Sequence, residues 1–164
     1  MKMKSENYHE VCELLDKLYL DTICLMEEEI QLKINMEKSM IEGENNLAKC
    51  RYIMGSNSVS AMNIPLNPEE DIHCTTSVES FPSELFPEVN KYEIISTEPK
   101  PNMTNPIKWF GYFTQKNLLK SQKSYETSLQ WAIEAINIQN QLKYLCHKCK
   151  ALRLLKVSLL ESKE

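Results

Sequence analysis

The sequence predicts an all-α fold in which two long coiled-coil helices pack as an antiparallel hairpin and are separated by a disordered linker. Three observations predict it. Apolar residues near both ends of the 164-residue chain recur at helical spacing. Six of the seven prolines lie between residues 56 and 104, where that spacing vanishes. The two outer segments carry opposite charge, seven basic and eleven acidic residues in 1–54 against ten basic and four acidic in 105–164. The chain therefore divides into an N-terminal coiled-coil helix (1–55), an acidic Pro/Ser-rich linker (56–104) and a C-terminal part (105–164). The last comprises a short aromatic turn and the second coiled-coil helix.

The first helix is expected over about residues 5–54, which contain no proline. Val11, Leu15, Leu18, Thr22, Leu25, Glu29, Leu32 and Met36 alternate steps of four and three, the seam of a coiled coil, with Thr22 and Glu29 as polar exceptions. The next set, Met40, Gly43, Leu47, Cys50 and Met54, starts four residues after Met36 where three is due. Such a stutter locally unwinds a supercoil. At ~1.5 Å per residue this helix would be roughly 70 Å long, beyond an ordinary compact core. Gly55 supplies a stop.

In the linker, Lys91 and Lys100 face eight acidic residues, which suits loop rather than fold. Tyr92-Glu93-Ile94-Ile95 is the one stretch there with strand character. Beyond it, Asn105-Pro106-Ile107-Lys108-Trp109-Phe110-Gly111 reads as a single helical turn, with Asn as cap, Pro first and Gly after the end. The second helix is expected over about residues 114–162. One stripe is Tyr125, Leu129, Ala132 and Ile136, and a rotated one is Ile138, Leu142, Leu145, Cys149, Leu152 and Leu159. Opposite charge brings the two helices together, and the long linker permits either direction, of which antiparallel is preferred.

Composition excludes several kinds of chemistry. With three glycines, Gly43, Gly55 and Gly111, neither the phosphate-binding loop nor the dinucleotide fingerprint can be assembled. His9, His73 and His147 form no catalytic constellation, so no catalytic residue and no cofactor is expected. Cys146-His147-Lys148-Cys149 lacks the second ligand pair of a structural zinc site, so no metal is expected either. The six cysteines are expected as free thiols. The start of the chain has no apolar signal core, which argues against secretion, and Asn102-Met103-Thr104 then matches a glycosylation acceptor by chance. No apolar run reaches the ~18 residues of a membrane span. The basic residues Lys143, Lys148, Lys150, Arg153 and Lys156 suit an internal or partner protein surface better than nucleic acid or an anionic membrane surface, since net charge is −4 and the first helix is acidic. Trp109 and Phe110, adjacent large aromatics at the linker edge, either plug the end of the helix pair or anchor a partner.

Two blocks resemble a known family. Leu47-Ala48-Lys49-Cys50-Arg51-Tyr52-Ile53-Met54-Gly55, followed by Ser58-Val59, and Asn105-Pro106-Ile107-Lys108-Trp109-Phe110-Gly111 resemble the coiled-coil domain-containing protein 115 family. Residues 118–122, Tyr125, Leu129, Ala132 and Ile138-Gln139-Asn140 continue the likeness. The resemblance implies a non-enzymatic assembly factor for the membrane sector of the vacuolar proton-pumping ATPase. Its implied partners are a membrane-anchored assembly factor and the pump's membrane-sector subunits, with membrane association indirect and no nucleic acid, and with self-association allowed. The implied location is the cytosolic face of the endoplasmic reticulum, with ER–Golgi vesicles and the lysosome or vacuole as further sites. Arg51, Tyr52, Met54, Pro106, Trp109, Phe110 and Gly111 are the candidate partner-binding residues. The competing readings are a vesicle-tethering or cytoskeletal coiled coil and a prefoldin-like chaperone subunit. The latter needs β-hairpins between its helices, against which the prolines of 56–104 argue.

Overall fold

A computed structural model describes residues 2–64, 74, 76–83, 86, 88–96, 106–111 and 113–161. Asn105, His73 and the 102–104 sequon lie outside the described residues. The element order is α1 (Lys2–Met54), a 3₁₀ turn η1 (Ala61–Asn63), β1 (Thr76–Pro82), β2 (Asn90–Ser96), a 3₁₀ turn η2 (Pro106–Phe110) and α2 (Lys116–Glu161). No described helix is long and apolar enough to cross a membrane.

The two long helices form where they are expected, but the fold is not all-α. β1 and β2 pair as a two-stranded sheet inside the span expected to be a disordered linker. The strands are antiparallel: Ser77 Oγ donates to the Ile95 carbonyl and Ser83 N–H to the Val89 carbonyl. Val89 N–H closes a tight turn on the Phe86 carbonyl at 2.8 Å. The prolines do not prevent this pairing. Pro82 is the last residue of β1, and each strand of a two-stranded sheet has a free edge where a missing N–H costs no ladder bond. Tyr92 and Ile94 share one face of β2 and are half-buried, as is Ile95 on the other face. The argument from prolines against a hairpin is thus overturned.

The chain forms two compact units, each built from parts of both long helices. Unit 1 comprises Met1–Leu32, Ser80–Lys91 and Glu134–Glu164. Its buried side chains are Leu15, Leu32, Ala135, Leu142, Leu145 and Cys149. Phe86 meets Tyr144 edge-on at 5.2 Å, and Lys148 Nζ lies 5.1 Å from the same Tyr144 ring. Lys156 Nζ sits 5.7 Å from the Tyr8 ring. Its ammonium is held above its ordinary range first by a hydrogen bond to the Cys12 side chain and the charge there, then by Tyr8, and least by Asp16.

Unit 2 comprises Lys33–Glu79 and Tyr92–Ile133. Within it the helices run antiparallel, since Cys50 packs with Leu118 while Gly43, seven residues earlier, meets Ser121 and Tyr125. This seam is small and polar. Gly43, Asn46, Ser121, Ser124 and Ser128 are buried, and Ser121 Oγ donates to the Gly43 carbonyl at 2.8 Å. A Cβ on Gly43 would sit 3.2 Å from the Tyr125 ring, so glycine sets how closely the helices approach.

From Met36 to Cys50 the inward positions of α1 alternate steps of three and four, and the second consecutive step of four anticipated at Met36–Met40 falls instead at Cys50–Met54. After Met36 the inward residues are Ser39, Gly43, Asn46 and Cys50, and Met40 is exposed. On α2, Ser128 and Ala135 take the buried places expected for Leu129 and Ile136, which are exposed. Polar residues are tolerated in the seam because the helix itself satisfies them. Thr22 Oγ1 donates to the Leu18 carbonyl at 2.7 Å and Asn46 Nδ2 to the Glu42 carbonyl at 2.9 Å.

Candidate partner-binding site

The candidate residues gather at the end of unit 2 where α1 stops and α2 starts. Gly55 ends α1 with a left-handed φ of +91°, a conformation that only glycine adopts without strain. Two bonds then turn the chain back: Ser58 N–H to the Gly55 carbonyl at 3.1 Å, and Ser58 Oγ to the Met54 carbonyl at 2.7 Å. The turn drives Val59 into a cluster with Cys50, Ile107 and Leu118, against which Leu47, Met54 and Phe110 also pack. The Ser60 hydroxyl has two acceptors within reach at the entry to η1, the Asn57 carbonyl at 3.2 Å and Asn63 Oδ1 at 3.1 Å.

The expected single turn exists as η2, with Pro106 first and Gly111 just beyond, its φ +128° and its N–H on the Lys108 carbonyl. A 3₁₀ turn has three residues per turn, so Ile107 and Phe110 share one side. That side is the inner one: Ile107 is buried and Phe110 packs on the cluster, while Trp109 is half-buried off it. Ile107 is the anchor that reading the sequence for large aromatics passes over. The signal was available, since the apolar residue three before Phe110 had to share its face.

The remaining candidates divide cleanly. Met54 is half-buried and donates packing to the cluster, where Cys50 Sγ lies 3.5 Å from its sulfur. Pro106 is half-buried, and Arg51, Tyr52 and Gly111 are exposed. Tyr52 is 91% exposed, and two residues that the sequence did not single out behave alike, Met62 at 88% and Phe113 at 92%. Burial pushes the Cys50 thiol up from its ordinary 9.0, so it is a neutral packing group at physiological pH. Gln115 Oε1, beside the start of α2, is buried without a hydrogen-bond partner.

All six cysteines are free, with Cys146 exposed and Cys149 buried in unit 1. Among the described residues no three His, Cys, Asp or Glu side chains converge as a metal site. The candidate residues instead make an open surface over a small apolar cluster.

Fold and site together define a helix–hairpin–helix protein whose candidate site is such a surface. The chain is similar to proteins of one name. The human vacuolar ATPase assembly protein VMA22 is 25% identical over 149 residues, covering 78% of this chain and 83% of that protein. Its bovine counterpart is 26% identical over 122 residues, covering 62% of this chain and 68% of that protein. No family model matches the chain. The two blocks on which the sequence resemblance rests, 47–55 with 58–59 and 105–111, supply Leu47, Cys50, Met54, Val59, Ile107 and Phe110 to one cluster.

Proposed function

We propose that this chain is an assembly factor for the membrane sector of the vacuolar proton-pumping ATPase, the counterpart of the coiled-coil domain-containing protein 115 family. It works by protein contacts rather than catalysis. The observation that carries this reading is its likeness, along most of both chains, to the human vacuolar ATPase assembly protein. The packing together of the two resembling blocks supports it. Its partners are a membrane-anchored assembly factor and the pump's membrane-sector subunits, met at the cytosolic face of the endoplasmic reticulum. The hairpin removes one objection to a prefoldin-like subunit, but neither relative's name points there.

Within the candidate set, Met54 and Phe110 shape the cluster, and the half-buried Trp109 and the exposed Tyr52 are the aromatics left to contact a partner. Cells lacking the protein should make the pump's membrane subunits, fail to assemble them, and leave lysosomes or vacuoles under-acidified. Trp109→Ala should keep its helicity yet reduce partner co-purification by about tenfold or more, as loss of an interface anchor does. Normal organelle pH in the deletion would refute the assembly role.

A further inference from the structure

The end of unit 2 combines two surface features. Large apolar side chains project from three separate segments: Tyr52 from the last turn of α1, Met62 from η1 and Phe113 from the lead into α2. Each is about nine-tenths exposed, which is unusual for a methionine or phenylalanine. Each adjoins the Cys50–Val59–Ile107–Leu118 cluster along the chain: Tyr52 follows Cys50 by two residues, Met62 follows Val59 by three, and Phe113 follows Phe110, which packs on the cluster, by three.

The second feature is charge. Residues 45–64 and 106–125 contain Lys49, Arg51, Lys108, Lys116, Lys120 and Lys123 and no Asp or Glu, in a chain whose net charge is −4. All six cations are exposed. The nearest acids in sequence are Glu44, Glu69, Glu98 and Glu126. Lys116, Lys120 and Lys123 recur on one face of the first turns of α2. Lys116, at the start of α2, opposes the helix dipole, and the first turn holds no acid to offset it.

We propose that this end docks directly on an anionic lipid bilayer, with Tyr52, Met62 and Phe113 entering the headgroup layer and the surrounding cations meeting acidic headgroups. Aromatic and long apolar tips among lysines and arginines are what an interfacial anchor presents to lipid. Three projections from three segments suit a fluid layer, which closes around each, better than a folded partner, which needs a matching pocket for each. Arg51 and Tyr52 are then lipid contacts, and membrane association is direct as well as through a partner. The proposal does not depend on the assembly role, because it concerns lipid alone.

The test is co-flotation of the full-length protein with phosphatidylcholine vesicles, with and without 30% phosphatidylserine, at low and high salt. Binding should favour the anionic vesicles by at least about tenfold and vanish at high salt. Each cation near such a surface contributes about fivefold, so Lys108→Glu with Lys116→Glu should lower binding by at least about 25-fold. Tyr52→Ser, Met62→Ser and Phe113→Ser together should lower it by at least about tenfold through lost apolar insertion. Circular dichroism confirms that each variant is folded. As a second readout, brominated lipid should quench Trp109 in a Trp131→Phe protein. No preference for anionic vesicles by the wild type would overturn the proposal, as would binding that both folded variants retain. Loss of co-purifying protein in the charge variant without any vesicle binding would also overturn it and assign this end to an acidic protein partner.

Discussion

Unit 1 and unit 2 are made from the same two helices but close on different chemistry. In unit 1 the buried seam is Leu15, Leu32, Leu142, Leu145 and Cys149, where stability comes from apolar area removed from water. In unit 2 an apolar cluster of Cys50, Val59, Ile107 and Leu118 closes one end, but the stretch of seam beside it is Gly43, Asn46, Ser121, Ser124 and Ser128. There the helices hold by close approach and by a hydrogen bond from a serine to a backbone carbonyl. The difference teaches that a long helix pair need not be uniformly apolar inside. Small residues let backbones approach, and the gain is in dispersion contacts and geometry rather than in buried hydrocarbon.

The largest effect should come from the apolar seam. Leu145→Ala should lower unfolding stability by about 3 kcal/mol, from lost transfer energy plus the cavity left behind, measured by urea titration. A loss under about 1 kcal/mol would mean that unit 1 is not packed as described. Next comes steric overfilling of the small seam. Gly43→Leu should cost about 2 kcal/mol, because its side chain must displace the Tyr125 ring already 3.2 Å from a Cβ. Tolerance of leucine would show that close approach is dispensable.

Ser121→Ala should cost about 1 kcal/mol, the net worth of its bond to Gly43. The same change at Ser158, whose hydroxyl bonds its own helix in the open, should fall within about 0.5 kcal/mol of zero. Equal losses at the two serines would erase the distinction between seam and surface.

A smaller effect should appear only in alkali. Burial holds the Cys50 thiol above 9.0, so the unfolded chain ionises first and binds fewer protons. Its contribution is fully present below the unfolded value and is lost as pH rises through the folded one. Wild type should therefore lose more stability above pH 9 than Cys50→Ala does, and parallel curves would contradict this. The smallest effect should be at Met40. Met40→Ser should change stability by no more than about 0.5 kcal/mol, since the side chain is exposed where a hydrophobic pattern would bury it.

By itself the sequence determined the two long helices, their apolar seam through Leu15, Leu32, Leu142 and Leu145, the stop at Gly55 and the turn over Pro106–Phe110. Each is a local matter of period, propensity or a backbone angle that glycine or proline favours. The tertiary structure alone decided three things. The β1–β2 pairing depends on which strand edges are free, and counting prolines cannot reveal that. The small seam depends on how closely two backbones approach, so burial goes to Gly43, Asn46 and Ser128 rather than to Met40 and Leu129. The joining of Cys50, Val59, Ile107 and Leu118, which leaves Tyr52, Met62 and Phe113 facing outward, depends on contacts between residues more than forty positions apart in sequence. Local periodicity carries no information about such contacts.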